Sequence, residues 1–184
     1  IVLNFSKMNK ILEINQENLT AKVQPGVVVG DLQAAVEDLG LFYPPDPSNL
    51  KVSTIGGSIG LSSGGPRTFK YGNTKTYVID LKVVLADGTL LRTGANTVKN
   101  STGYHLTDLF IGSEGTLGII VEATLKLIPK PEGSRLVLAY FDEISDATSA
   151  VNKIIEAKIT PSTLDILDRK TLQTIEAFCP AGFL

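Results

Sequence analysis

Residues 119–127 alternate between apolar and polar side chains, and this pattern constrains the fold of the 184-residue chain more than any other feature. The apolar positions are Ile119, Val121, Ala123, Leu125 and Leu127, and the polar positions between them include Glu122, Thr124 and Lys126. Successive side chains of a β-strand point to opposite faces, so this spacing predicts a strand with one face buried in a core.

Turn residues and apolar spacing predict further elements before this strand. Two hairpins are expected, pairing 10–14 with 20–23 and 79–85 with 89–91, and the second of them turns at Asp87-Gly88. Apolar residues at helical spacing predict an amphipathic helix that starts at Gly30-Asp31 and ends at Gly40. A short extended piece at 41–43 and a short helix at 106–110 complete this part.

The pattern changes after Pro129 and Pro131, which are typical of a linker. Strands are expected at 136–141 and 163–167, and helices over 145–155 and from 170 to 177. This βαβα unit is interpreted as the start of a second domain. The strand-like run at 1–3 and the apolar end at Phe183-Leu184 are unusual domain boundaries, so we expect a fragment of a longer protein.

Residues 44–76 are rich in proline and glycine and are predicted to be mostly loop. A structureless stretch of this length is uncommon inside a compact domain and is often functional. We therefore expect the residues that bind a ligand to lie in or beside this segment.

Composition excludes several classes of function. The chain has 17 Lys and Arg against 19 Asp and Glu, a net charge of −2, which argues against a nucleic-acid binder. A single cysteine excludes an internal disulfide framework, and a single histidine argues against a zinc site with several histidine ligands. No apolar run approaches the length of a membrane span. We therefore expect no metal site and no nucleic-acid partner.

Two glycine-rich segments could contact a ligand through their backbones. In residues 54–65 the glycines and hydroxyl residues could present successive free N–H groups as an anion nest, or the segment could be a flexible linker. In residues 112–120 three glycines lead into the alternating strand, either as a plain tight turn or as a strand edge that meets a flat ligand. Taken singly, neither segment decides between the two interpretations.

Two neighbouring groups of residues are weaker candidates. The proline-rich stretch 43–48 is either a stiff ligand-contacting loop or a plain connection. Arg67, Lys70 and Tyr71 follow the first glycine-rich segment and could approach a ligand, although such charges are usually solvated.

The order of these motifs resembles one family of flavoenzymes. PPDPS at 44–48, TIGGSIG at 54–60, GGPR and KYG at 64–72, GSEGTLGII at 112–120 and VEATLKLIPKP at 121–131 occur in sequence. This arrangement resembles the flavin-dependent oxidoreductases of the vanillyl-alcohol oxidase type, in particular the FAD-binding subunit of glycolate oxidase and the D-lactate dehydrogenases. The resemblance covers about residues 1–170.

The resemblance implies an α+β fold, in which this chain supplies the second half of the FAD-binding domain. An antiparallel sheet flanked by helices is expected over 1–131, and the beginning of an α/β substrate or cap domain over 132–184. The first half of the FAD-binding domain, with its pyrophosphate loop, would precede Ile1.

The resemblance also implies which residues contact FAD. The corresponding positions are Asp46, Pro47, Ser48, Thr54, Ile55, Gly56, Gly57, Ser58, Gly60, Leu61, Ser63, Gly64, Glu114, Gly115, Gly118, Ile119 and Ile120. Members of the family usually have Asn in place of Ser58, often Ala in place of Gly60, and Asp in place of His105. Ser58 and Gly60 keep the site small, so FAD binding stays credible, and His105 is interpreted as a surface or helix-capping residue.

The function implied by the resemblance is oxidation of a 2-hydroxy acid of the glycolate or D-lactate type, with hydride transfer to the flavin. A quinone, a cytochrome or an iron–sulfur subunit would receive the electrons, and a homo-oligomer is allowed. The location implied is cytoplasmic or peripheral to the membrane. The substrate-binding arginine and metal-binding histidines of the family would lie beyond Leu184, so no catalytic residue is assigned and the chain alone is expected to be inactive.

Two alternatives stay open. The first is an enzyme of the same fold with another alcohol substrate, such as an aryl-alcohol or alkylglycerone-phosphate flavoenzyme. The second is a non-catalytic module that has lost FAD, for which Ser58 and His105 are the hints.

Overall fold

A five-stranded antiparallel sheet forms the centre of the molecule in the computed structural model, which describes residues 3–95, 97, 101, 103–180 and 182. The strands are β1 Ile11–Asn15, β2 Thr20–Val23, β4 Val78–Val84, β5 Leu90–Arg92 and β6 Ile119–Lys126, in the spatial order β1-β2-β6-β4-β5. The two-residue strands β3 Leu41–Phe42 and β7 Ile128–Pro129 pair separately. Both predicted hairpins and the antiparallel sheet are confirmed.

The alternating strand lies in the middle of this sheet. β6 pairs with β2, where Lys22 faces Thr124, and with β4, where Leu81 faces Ala123. Side chains of Ala123, Leu125 and Leu127 are fully buried, as their spacing predicts. Thr124 is buried as well, and its strand lies between the neighbouring strands β2 and β4 of the sheet.

Helix α1, Val29–Glu37, covers the buried face of the sheet and confirms the predicted amphipathic helix. Its side chains Val29, Leu32 and Val36 belong to the same apolar core as Val23, Leu81 and Leu125. The buried Gln33 donates hydrogen bonds from its Nε2 to the carbonyl oxygens of Tyr43 at 3.0 Å and Pro45 at 2.8 Å. In this way α1 holds the proline-rich stretch against the core.

Most of residues 44–76 lies outside regular helices and strands, as predicted, but the segment also contains short helices that the sequence did not predict. The segment contains α2, Ile55–Leu61, α3, Thr68–Tyr71, and a short 3₁₀ helix, Thr74–Tyr77. Glycine has a low helix propensity, but Ile55 and Ile59 lie one turn apart and are both fully buried. Burial of these two side chains therefore stabilises α2 against the propensity of its glycines.

Beyond the sheet, α4 spans Leu106–Phe110, α5 spans Ile144–Glu156 and α6 spans Arg169–Phe178. The three predicted helices are confirmed, but the strands predicted at 136–141 and 163–167 are wrong. A strand needs a hydrogen-bonding neighbour, and neither segment has one among the described residues. Leu136, for example, is 96% exposed. Most of the run 1–3 and Phe183-Leu184 lie outside the described residues.

Candidate functional site

The two glycine-rich segments, predicted as separate candidates, lie side by side. The amide of Gly112 donates a hydrogen bond to the carbonyl of Ile59 at 3.0 Å, and the amide of Glu114 donates to the carbonyl of Gly60 at 3.0 Å. The end of α2 and the turn before β6 therefore form one continuous backbone surface. We call this surface, made of residues 59–64 and 112–118, the glycine surface.

The proline-rich stretch also joins this region. A Cβ atom added at Gly65 would overlap the carbonyl oxygen of Asp46, so the two backbones are in direct contact. The Nε of Arg67 lies 3.3 Å from the Oδ2 of Asp46, and the Arg67 guanidinium lies 5.1 Å from the ring centre of Phe42. The proline-rich stretch and the two glycine-rich segments are thus held together by the fold.

The glycines of these segments differ in the space beside them. A Cβ at Gly56 would lie 2.6 Å from the Cβ of Pro25, and one at Gly118 would lie 2.6 Å from the Cγ1 of Val83. By contrast, Cβ atoms at Gly60 and Gly115 would meet no atom within 4 Å among the described residues. Packing explains Gly56, Gly65 and Gly118, whereas at Gly60 and Gly115 the missing side chain leaves open space beside the backbone.

Exposed leucines lie within two residues of these open glycines in the chain. Leu61 is 65% exposed and Leu117 is 44% exposed. A flat ring system that rested on the backbone at Gly60 and Gly115 would find apolar side chains nearby, which is the lining expected of a cofactor site. This combination of open backbone and uncovered leucines fits the predicted flavin.

The start of α2 does not provide an anion nest, which was one of the two interpretations of residues 54–65. Its amides already have partners: Ile55 donates to Val27, Gly56 to Pro25, and Ser58 to Thr54, at 2.8 to 2.9 Å. The amide of Gly57 donates to the Thr54 hydroxyl, which caps the helix at 3.3 Å. Because these four donors are used within the protein, binding of a phosphate group at this helix start is not supported.

The predicted FAD-contacting residues fall into three groups by exposure. Pro47, Ile55 and Ser58 are buried, so their side chains support the site from behind. Partly buried positions are Asp46, Thr54, Gly56, Gly60, Ser63, Gly118, Ile119 and Ile120. Exposed positions are Ser48, Gly57, Leu61, Gly64, Glu114 and Gly115. The exposed and partly buried residues are those able to touch a cofactor.

Buried polar groups connect the glycine surface to the core. The hydroxyl and the amide of Thr74 both donate to the carbonyl of Ser63, at 2.9 and 3.0 Å, and Asn73 Nδ2 donates to the Ser62 hydroxyl at 3.2 Å. These bonds fix the chain after α2, where Ser62 adopts a left-handed conformation with φ of 51°.

A pair of buried tyrosines lies behind the proline-rich stretch. Tyr43 is fully buried and packs edge to face against Tyr77, with 6.0 Å between ring centres. Burial, with a smaller contribution from Tyr77, raises the pKa of Tyr43 far above its usual value, so it stays neutral. Burial likewise raises the pKa of Tyr77, whose hydroxyl donates to the Tyr71 carbonyl at 2.8 Å. Both tyrosines therefore keep their protons, and neither is assigned a role in proton transfer.

Sequence reasoning missed two positioning residues, Gln33 and Gly65. Gln33 lies among the apolar positions of α1, and a polar side chain there indicates a buried hydrogen bond whose partner the sequence cannot identify. Gly65 was part of the glycine-rich segment, but its contact with Asp46 depends on the tertiary fold.

Other residues that could act as catalysts or metal ligands do not form a further site among the described residues. His105 is exposed at the start of α4, and its side chain makes no capping hydrogen bond there. Within the described part of the chain, no three His, Cys, Asp or Glu side chains are grouped as metal ligands would be. None of the helices described is long and apolar enough to cross a membrane.

Comparison with protein families agrees with the motif order. The FAD binding domain family matches residues 1–94, and the family of C-terminal domains of FAD linked oxidases matches residues 130–183. FAD is therefore the cofactor, and the second match begins where the sequence pattern changes.

Individual relatives point in the same direction. The chain is 56% identical over 182 residues to the glycolate oxidase subunit GlcD of Bacillus subtilis (strain 168), covering 99% of this chain and 39% of that protein. It is 39% identical over 178 residues to a D-lactate dehydrogenase of Anaerostipes hadrus, covering 97% and 37%. The chain thus spans about two fifths of the length of these relatives.

A solved structure supports the fold. An alkyldihydroxyacetonephosphate synthase matches with a TM-score of 0.80 at 27% identity, over 96% of this chain and 32% of that chain. The antiparallel sheet, the two family matches and this similarity agree with one another. The chain belongs to the FAD-linked oxidoreductases of the vanillyl-alcohol oxidase type and carries part of their FAD-binding domain.

Proposed function

We propose that the protein oxidises a 2-hydroxy acid of the glycolate or D-lactate type. The observation that carries this proposal is the 56% identity to a glycolate oxidase subunit over almost the whole chain. A second relative is named for D-lactate, which also has a hydroxyl group on the carbon next to the carboxylate. The shared chemistry is therefore a 2-hydroxy acid, and the choice between acids is left to experiment.

When bound, FAD would supply a hydride acceptor, so that a 2-hydroxy acid could be oxidised to a 2-oxo acid with its α-hydrogen passed on as hydride and its hydroxyl proton released to solvent. We propose that this chain holds the cofactor through the backbone of Gly60, Gly64 and Gly115 and through the apolar side chains of Leu61 and Ile119. Their exposure supports this assignment, because each residue is exposed or partly buried and lies in or beside the glycine surface. Their role is to bind and orient, and no side chain described here is proposed to move a proton.

We propose that residues 1–131 belong to the FAD-binding domain and that residues 132–184 begin the substrate domain. The absence of buried side chains in α5 and α6 supports a separate unit. An α/β arrangement of the substrate domain would require further chain to pair with these helices, as the length of the relatives allows.

The relatives named as glycolate oxidase subunits suggest a multi-subunit assembly. We propose that electrons leave through a partner, either an iron–sulfur subunit, a cytochrome or a quinone. For its location, we propose the cytoplasm or the cytoplasmic face of a membrane. A homo-oligomer is compatible with both.

A second candidate function is that of a flavoenzyme of the same fold with another alcohol substrate. The observation that favours it is the TM-score of 0.80 to an alkyldihydroxyacetonephosphate synthase. The lower identity of that match, 27% against 56%, favours the 2-hydroxy acid. A module without flavin is the least supported candidate, because the glycine surface is open where the cofactor is expected.

An anaerobic absorption experiment tests the proposal. The full-length gene product is purified, its visible spectrum is recorded, and glycolate, D-lactate and other D-2-hydroxy acids are added one at a time. We expect a flavin absorption band in the blue part of the visible spectrum, and we expect this band to bleach with at least one acid. A band that bleaches with none of them would reject the substrate class while keeping the cofactor, and no band after reconstitution with FAD would reject both.

A further inference from the structure

Arg67 occupies an unusual position beside the glycine surface. Its Nε is paired with the carboxylate of Asp46 at 3.3 Å, and its guanidinium lies over the Phe42 ring at 5.1 Å. The ion pair and the ring contact hold two sides of the guanidinium, so the remaining N–H groups have a defined position. Arg67 is therefore not the freely solvated charge that is usual for such a position.

The Nη1 of Arg67 is buried and has no hydrogen-bond partner among the described residues. A buried donor of a charged group that stays unpaired is costly, and native proteins seldom leave one. An oxygen acceptor that the chain itself does not supply is the expected solution.

The surroundings of Arg67 indicate the kind of acceptor. The amides at the start of α2 are already bonded within the protein and cannot receive the two negative charges of the FAD diphosphate. The nearby Lys70 is exposed and lies 5.3 Å from the Tyr71 ring centre. Arg67 directly contacts Asp46, one of the residues predicted to bind FAD, and guanidinium groups pair strongly with phosphate oxygens.

We propose that Arg67 anchors the cofactor, with Nη1 donating a hydrogen bond to an oxygen of the FAD diphosphate. Asp46 and Phe42 act as its supports, because they fix the guanidinium before the cofactor binds. This inference rests on the FAD assignment and is independent of which hydroxy acid is oxidised.

The test compares the affinity of the full-length apoprotein for FAD and for riboflavin, which lacks the diphosphate, by quenching of flavin fluorescence. For Arg67→Met we expect the Kd for FAD to rise about 10- to 100-fold, the range for loss of a charged hydrogen bond, with the Kd for riboflavin within about twofold. Arg67→Lys keeps the charge and should lose less. The matched control is Lys70→Ala, which should bind FAD as the wild type does.

Two further measurements separate anchoring from a merely structural role. Asp46→Asn keeps an acceptor for Nε, so we expect its loss of FAD affinity to be much smaller than that of Arg67→Met. The thermal midpoint of each apoprotein reports folding, and Arg67→Lys carries the test if Arg67→Met does not fold. Equal losses for FAD and riboflavin, or an unchanged Kd for FAD in the Arg67 variants, would overturn the proposal. Wild-type protein that binds riboflavin but not FAD would overturn the proposal as well. A failure to oxidise 2-hydroxy acids would contradict the proposed substrate class but not the role of Arg67.

Discussion

The first glycine-rich segment, 54–65, and the second, 112–120, are both rich in glycine but fold differently. The first forms helix α2 with a capped start, and its Gly56 and Gly65 are pressed against neighbouring backbone. The second is a turn in which Gly112 and Gly115 both adopt φ of +78°. Glycine is needed for close approach in the first segment and mainly for backbone conformation in the second.

This difference indicates which glycines are informative about ligand binding. A glycine that packing or a positive φ already explains, such as Gly115, is not by itself evidence for a cofactor. Gly60 has neither explanation, because it lies within a helix and has open space beside it. It is therefore the position where a role in binding is easiest to separate from a role in folding.

The largest effect is expected for Gly65→Ala. The new Cβ would overlap the carbonyl oxygen of Asp46, which is backbone and cannot rotate away. We expect a loss of about 3 kcal/mol or more in the free energy of unfolding, measured by urea denaturation of the apoprotein. The matched control is Gly64→Ala, whose Cβ would come no closer than 3.0 Å to any described atom, the nearest being the side-chain hydroxyl of Thr68. Equal stability of the two variants would contradict the packed interpretation of Gly65.

A smaller loss is expected for Gly118→Ala in the second segment. Its Cβ would lie 2.6 Å from the Cγ1 of Val83 and 2.9 Å from the carbonyl oxygen of Val84. The valine methyl can shift, so we expect about 1–3 kcal/mol from overpacking in the same denaturation experiment. The double variant with Val83→Ala should recover part of the loss caused by Gly118→Ala, and no recovery would show that this methyl is not the obstacle.

Gly112→Ala tests backbone conformation without crowding. The nearest atom to an added Cβ is the Cβ of Ser62 at 3.6 Å, an ordinary contact, whereas φ is +78°. We expect a loss of about 1–2 kcal/mol from the left-handed conformation alone. Gly112→Asn should lose less, because asparagine tolerates this region better. A similar loss for both residues would argue that something other than φ requires the glycine.

Gly60→Ala is expected to have the smallest effect. Alanine favours a helix over glycine by up to about 1 kcal/mol, and the added methyl group meets no described atom within 4 Å. We expect equal or slightly higher stability and an FAD affinity within about threefold of wild type, since a methyl group fills little of the open space. A clear loss of stability would show that the space beside Gly60 is not open.

The strands and helices of the sheet region follow from residue patterns. The alternation in β6, the Asp87-Gly88 turn and the apolar stripe of α1 were enough to predict their elements. Each is governed by local periodicity or turn chemistry, which a sequence carries directly. The predicted strands at 136–141 and 163–167 failed because a strand depends on a partner, which local periodicity does not report.

The site could be predicted only in outline. Motif order indicated which stretches meet the cofactor, but helix α2 was missed because its glycines disfavour a helix and distant packing of Ile55 and Ile59 overrides them. The same holds for the contact between Gly65 and Asp46, which joins residues far apart in the chain. The unpaired Nη1 of Arg67 is visible only in three dimensions.

We propose that FAD lies against the open backbone beside Gly60, and Gly60→Phe tests this placement most directly. The experiment measures the Kd for FAD by fluorescence quenching and the thermal midpoint of the apoprotein, with Gly60→Ala as the matched control. Because the large ring would fill the open space, we expect the Kd to rise at least about 100-fold while the midpoint stays close to that of Gly60→Ala. An FAD affinity of Gly60→Phe equal to that of Gly60→Ala would contradict binding of FAD beside Gly60.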